Sequence, residues 1–260
     1  MAVYRLENIS FTQVDALNRD KTLCVLPVGS MEQHGPHLPN GMDTQVAVEI
    51  AQRASQQAAK AFDCLLLPPI PFGQSPEHMD FPGTITFSAE TYIRMLKEIS
   101  ASIARHGFKT LYIINGHGGN ISAISAAAFD IRDAFKLRIF MFNVWAVITG
   151  LWNELGLREA TDKTDAHGGE IETSLVQYLF PQYVNMEKSV DEDNEQLAKG
   201  KLINLGGPIS FNWNSLEDIA PSGISGQASF GNVEKGKIVF DALVKMATEG
   251  LLEIHANWLT

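Results

Sequence analysis

Cysteine is nearly missing from this chain of 260 residues; there are two, Cys24 and Cys64. Both lie in apolar runs without metal-ligand spacing and read as buried free thiols, which excludes a disulfide framework or a thiolate metal site. Charge is sparse and one-sided. Asp, Glu, Lys and Arg make up 19% of the residues, with 20 Lys plus Arg against 30 Asp plus Glu and a formal net charge of −10. An acidic chain without a basic patch repels a phosphate backbone, so nucleic acid is not an expected partner. No apolar run reaches the roughly 18 residues of a membrane span. Met1 to Phe11 carries Arg5 and Glu7 and none of the apolar stretch a signal peptide needs. These absences point to a cytoplasmic protein in a reducing compartment. A dinucleotide G-x-G-x-x-G is missing too, which speaks against a nicotinamide oxidoreductase, and there is no Walker lysine to mark a phosphate loop.

What is present has an ordinary globular composition, 45% hydrophobic. Short apolar runs alternate with amphipathic stretches. Strands are expected at Leu23 to Val28, Cys64 to Leu67, Thr110 to Ile114 and Arg138 to Val144. Helices are expected at Asp43 to Ala58, from Ser88 to about His106 with a stop at Gly107, at Ile121 to Phe135, Gly168 to Leu179 and Asn232 to Ile254. Nearly continuous apolar strands between helices predict an α/β fold, a mostly parallel sheet flanked by helices. Gln182 to Ser215 is polar, contains Asp191-Glu192-Asp193-Asn194-Glu195, and reads as a solvated excursion. Without repeats or a linker, residues 1–260 read as one domain.

Chemistry concentrates in loops that follow predicted strands, where an open α/β sheet binds its ligands. The first is Gly29-Ser30-Met31-Glu32-Gln33-His34-Gly35-Pro36-His37-Leu38-Pro39, with Asp43 opening the next helix. Glu32 and His34 are two apart and share a side of an extended segment. Carboxylate mixed with imidazole suits Zn²⁺ or Mn²⁺, although a polar loop with a capping Asp has the same composition. The second is Asn115-Gly116-His117-Gly118-Gly119-Asn120, one imidazole beside bare backbone. The third is Asp165-Ala166-His167-Gly168-Gly169-Glu170-Ile171-Glu172. On a helix, residues two apart lie about 200° apart, so Glu170 and Glu172 should not both face one metal. Together the loops hold enough carboxylates and histidines for two divalent metal ions, which can share a carboxylate at about 3.5–4 Å separation.

These residues resemble the creatininase (creatinine amidohydrolase) family. The likeness is carried by Leu26 to Leu38, by Phe81-Pro82-Gly83-Thr84, by Asn115 to Asn120 and by His167 to Ser174, with a further trace in Ser222 to Gly226 and Glu234 to Gly236. It implies an α/β sandwich, commonly a homohexamer, that uses two Zn²⁺ and/or Mn²⁺ ions to hydrolyse non-peptide C–N bonds of cyclic amides or formamides. By the same likeness Glu32, His34, Asp43 and His117 are metal ligands, Asp43 the bridge, and His167 handles protons or polarises the substrate carbonyl.

The departures are informative. Creatininase proper has Tyr and a metal-binding Glu after the His of the second loop, where this chain has Gly118 and Gly119. Glu170 is the expected substitute ligand and Glu172 a supporting catalytic residue. Trp145 matches a family aromatic position, and Glu77, His78, Gly118 and Trp145 are expected around a small-molecule amide substrate. The Trp and Glu that precede the third-loop His in creatininase proper are replaced by Lys163-Thr164-Asp165-Ala166. This favours a C–N bond other than creatinine's, cleaved by a bridging hydroxide. Creatinine itself and a non-catalytic metal-binding protein stand as alternatives. A two-metal phosphoesterase lacks cationic side chains in these loops.

Overall fold

The computed structural model describes residues 1–161, 165–193 and 215–259. Along the chain run β1 (Val3–Arg5), α1 (Phe11–Asp15), β2 (Leu23–Val28), α2 (Met42–Ala58), β3 (Cys64–Leu66), α3 (Ala89–Arg105) and β4 (Thr110–Asn115). Then follow α4 (Ile121–Phe135), β5 (Arg138–Asn143), α5 (Val144–Glu154), α6 (Glu170–Leu179), β6 (Asp191–Glu192), β7 (Gly226–Gln227) and α7 (Val233–Trp258). Five strands form one parallel sheet in the order β1-β3-β2-β4-β5. The fold is α/β, a parallel sheet flanked by helices, as the apolar strands imply.

Every residue of β2 and β4 is buried. Side chains alternate between the two faces of a strand, so each strand feeds two cores. Leu23 and Val25 of β2 and Tyr112 and Ile114 of β4 pack with α2, α5, α6 and α7. Cys24, Leu26 and Val28, with Leu111 and Ile113, pack with α3 and α4. Both cysteines are buried free thiols. No helix among the described residues is long and apolar enough to cross a membrane.

The strand order positions the site. β2 and β4 are neighbours, yet the helix after β2 covers one face and the helix after β4 covers the other. The two loops therefore diverge at the carboxyl edge and leave a crevice, the usual ligand position in such sheets.

Local signals account for several element ends. Ser88 caps α3 by accepting the Thr91 N–H, and Gly107 follows the helix at φ +92°. Other boundaries differ from expectation. The strand from Arg138 stops at Asn143, because Val144 opens α5, which buries Val144, Ile148 and Trp152 at a four-residue spacing. The apolar run through Phe142 and Val144 hides that change of period. Strand β1 and helix α1 are three and five residues long with no buried residue, too short to leave a periodic trace. Of the polar excursion, residues 194–214 lie outside the described part, as do Lys163 and Thr164. Its described portion places β6 antiparallel to β7.

Two measurements test this packing. Leu26→Ala, at a buried central-strand position, should lower the free energy of unfolding by about 3 kcal/mol in a denaturant titration. Ser88→Ala should lower it by about 1 kcal/mol. Equal effects of the two would contradict the central role of β2.

Candidate metal centre

The loops that carry Gly29, Gln74 and His117 are tied together by asparagine side chains before any candidate ligand is considered. The Asn115 amide donates to the His117 carbonyl at 2.7 Å and its Oδ1 accepts the His117 N–H at 3.2 Å. Asn120 donates to the Gly29 carbonyl at 3.0 Å and accepts the Gln74 N–H at 3.0 Å. The loop after β2 is closed by the Glu32 N–H on the Asn40 carbonyl. Asp43 then falls in the first turn of α2, where a helix N-terminus favours a carboxylate.

Glu32, His34, Asp43, His117, His167 and Glu172 converge there, all buried. His117 Nδ1 lies 3.0 Å from Asp43 Oδ2 and 3.2 Å from Glu32 Oε2. His34 Nε2 lies 3.4 Å from Asp43 Oδ1 and 3.8 Å from Glu172 Oε2. Two ligand sets result, Glu32 with Asp43 and His117, and His34 with Asp43 and Glu172, the atoms of each lying within 4.8 Å of one another. They share Asp43. A third set, Glu32, His34 and His167, overlaps both.

Each imidazole is turned by its outward nitrogen. His117 Nε2–H donates to the Gln74 carbonyl at 2.8 Å, and His34 Nδ1–H to the Glu32 carbonyl at 3.2 Å. The inward nitrogens, Nδ1 of His117 and Nε2 of His34, are thereby the atoms turned toward Asp43, where a proton and a metal ion compete for them. Such carbonyl partners orient histidines that bind metals. Glu32 Oε2, His34 Nε2 and both Asp43 oxygens are buried without a well-directed hydrogen bond among the described residues. Buried acceptors close together with nothing to satisfy them fit a pair of divalent cations. The donor set, carboxylate and imidazole, suits Zn²⁺ or Mn²⁺.

Electrostatics agree. Burial opposes a charged imidazole, yet Glu172, Asp43 and Glu32 pull His34 up to about 10. Against the same burial, Glu32 and Asp43 raise His117 well above its ordinary range. Glu32 would be raised by burial, but His117, His78 and His34 hold it well below the carboxylate range. Burial lifts Glu172 to about 8. His167 goes the other way. Burial, then His34 and His78, keep it well below the usual imidazole value. Its Nε2–H donates to the Gln33 carbonyl at 2.6 Å, which leaves Nδ1 as the basic atom.

A cavity of about 200 Å³ opens beside the cluster, lined by Glu32, Asp43, His117, His167 and Glu172 together with Gly118, Trp145, Ile148, Thr149, Asp165, Ala166 and Ile171. Of the four residues expected around the substrate, Gly118 and Trp145 line it, and Glu77 and His78 do not. The Trp145 indole N–H donates to the Gly116 carbonyl at 2.6 Å, which fixes its ring at the wall. His78 is buried behind the cluster against the His167 ring, with centroids 4.4 Å apart.

Glu170 also departs from expectation. It and Glu172 do point opposite ways from α6, and it is Glu172 that falls in a candidate ligand set. The fully buried Glu170 carboxylate accepts Lys235 Nζ at 2.5 Å, the Glu159 N–H at 3.0 Å and the Ala160 N–H at 3.1 Å. It faces α7, and Glu172 faces His34. Lys235 is 65 residues away, and although it falls in the family-like Glu234 to Gly236, nothing in the spacing pairs it with Glu170. At Gly119, a Cβ would collide with the Gln74 carbonyl and the His117 ring, so no side chain fits there. Gln74 acts through its carbonyl, which no residue pattern reveals.

Comparison with known proteins gives a consistent picture. The creatininase family model, described as creatinine amidohydrolase, matches residues 7–251. The chain is 29% identical over 226 residues to the mycofactocin precursor peptide peptidase of Mycobacterium ulcerans, covering 85% of this chain and 80% of that protein. It is 28% identical over 253 residues to the 3-dehydro-scyllo-inosose hydrolase of Thermotoga maritima, covering 92% and 79%. The solved structure named Creatininase Mn superposes with a TM-score of 0.79 at 21% identity, covering 97% of this chain and 98% of that one, a likeness of fold.

Metal and proton compete for the inward nitrogen of His34. Metal binding at neutral pH should therefore release protons, and apparent affinity should rise with pH. Calorimetry in two buffers of different ionisation enthalpy reads the release; heats independent of buffer would contradict the arrangement. Glu170→Gln should destabilise the fold by about 3 kcal/mol or more, as breaking a buried ion pair does. Metal per folded chain, by elemental analysis, should stay unchanged.

Proposed function

The chain belongs to the creatininase family, and from that premise we propose that it is a hydrolase with two divalent metal ions, Zn²⁺ or Mn²⁺, that cleaves a C–N amide bond in a small substrate. Glu32, Asp43 and His117 hold one ion; His34, Asp43 and Glu172 hold the other. The observation that carries this reading is the pair of buried ligand sets sharing Asp43 at the wall of a small cavity. Glu172 takes the place of a ligand that Gly119 cannot supply.

Two such ions lower the pKa of bound water toward neutrality and polarise a carbonyl oxygen. The remaining work falls to side chains. His167, neutral with Nδ1 available, accepts a proton as the carbonyl is attacked and returns it to the leaving nitrogen. Ring stacking on His34, with centroids 4.3 Å apart, keeps it in register with the cluster. Trp145, Ile148 and Ile171 give the cavity an apolar wall that limits water around the reacting group. At Gly118 nothing lies within 4 Å of where a Cβ would stand, which leaves room for substrate beside His117.

A cavity of about 200 Å³ sits below the ~300–1,000 Å³ of common ligand pockets, which favours a compact cyclic amide or formamide. A second reading, cleavage of a peptide bond, is favoured by the 29% identity to a mycofactocin precursor peptide peptidase. A single residue of a peptide fits the same volume.

Asp43→Asn should reduce bound metal from two ions per chain to one or none and lower turnover by at least ~100-fold, since one substitution weakens both sites. His117→Ala should lose one ion and the activity with it. Full metal content and turnover in both variants would refute the centre. Screening the metal-loaded protein against small lactams, formamides, creatinine and short peptides, with released amine as the readout, separates the two substrate classes.

A further inference from the structure

His78 and the Gln33 side chain lie outside the cavity lining, and the chemistry above uses Gln33 only through the carbonyl that orients His167. Gln33 is fixed at both ends. Its Oε1 accepts the Gly35 N–H at 2.8 Å, so its NH₂ group is the end that meets His78 Nδ1, at 3.0 Å. On the far side Gly223, at φ +79°, presses so closely that a Cβ there would collide with the Gln33 amide. An NH₂ group can only donate, so Nδ1 of His78 must accept. The ring proton is then on Nε2, which lies 3.5 Å from Glu32 Oε1. The other oxygen of Glu32, Oε2, is the one turned to His117. Hydrogen bonds at catalytic centres are commonly long before ligand binds and tighten afterwards.

We propose that Gln33 and His78 are positioning residues. Gln33 sets His78 as the Nε2–H tautomer, and His78 holds Oε1 of Glu32 so that Oε2 alone is presented to the metal shared with Asp43 and His117. The proposal rests on the two-metal reading above and extends it to a preference between the two ions. Loss of the relay weakens the ion bound by Glu32 and spares the ion bound by His34 and Glu172. It also moves His78 from the substrate, where the sequence placed it, to the support of a ligand.

Three variants separate the possibilities. His78→Phe removes the donor and should weaken one of the two Zn²⁺ ions by about 10- to 100-fold in a chelator-competition titration, as loss of an outer partner does, with the other ion unchanged. His78→Gln keeps an N–H donor and should restore the lost affinity. Gln33→Glu keeps the Gly35 contact but offers Nδ1 an acceptor. It should move the ring proton to Nδ1, seen in the ¹⁵N shifts of labelled histidine, and weaken the same ion. Retention of both affinities in His78→Phe, equal weakening of both, or a wild-type His78 protonated on Nδ1 would overturn the relay alone. A wild-type chain that takes up no divalent metal would overturn the two-metal reading and the relay together.

Discussion

Three carboxylates, Glu32, Asp43 and Glu172, are buried within one small cluster, and the rest of the structure is arranged around that constraint. Negative charge taken out of water without compensation is too costly to persist, so it must meet protons, hydrogen-bond donors or cations. Few donors settle it: the Gly168 N–H reaches Glu172, and His78 Nε2 faces Glu32. The outward N–H groups of His34 and His117 go to carbonyls, and the loop asparagines spend their amides on backbone. What remains is an anionic cradle whose two inward imidazole nitrogens take either a proton or a metal ion.

The sheet makes that cradle possible. Glu32 and His34 leave β2, His117 leaves β4, and Asp43 sits where α2 begins. These points are adjacent only because β2 and β4 are neighbours whose following helices take opposite faces. α6 arrives from elsewhere in the chain and brings His167 and Glu172. The antiparallel bridge between His167 and Ser225 fixes its approach. The two cores, packed on every position of the central strands, supply the rigidity that holds such ligands to within fractions of an ångström.

Much of this was legible in the chain itself. Nearly continuous apolar strands, helix caps such as Ser88, and glycine-rich loops after strands located the elements and the three chemical loops. The grouping of Glu32, His34, Asp43 and His117 was implied by the resemblance to the creatininase family, and the β2–β4 pairing gives its physical reason. The parts of Glu170 and Glu172 were not legible, because a helix shows that they diverge but not which one faces the metal. That is decided by Lys235, 65 residues downstream. The position of His78 was hidden for a related reason. A loop residue beside a predicted site reads as substrate-facing until the Gln33 amide shows its other neighbour. Helix α5 was concealed by an apolar run that keeps its hydrophobicity while changing its period.

Three imidazoles at the centre are oriented by main-chain carbonyls, those of Glu32, Gln74 and Gln33. A carbonyl is present whatever side chain its residue carries. No point substitution at residue 74 can delete the acceptor that turns His117; only a shift of the loop can. The tautomers of these three rings are thus a property of chain path, and they tolerate drift in the residues that supply them. His78 is different, since its orientation depends on one amide side chain. Neutral change can therefore accumulate at Gln74 without touching the centre, whereas Gln33 carries information in its side chain as well as its backbone.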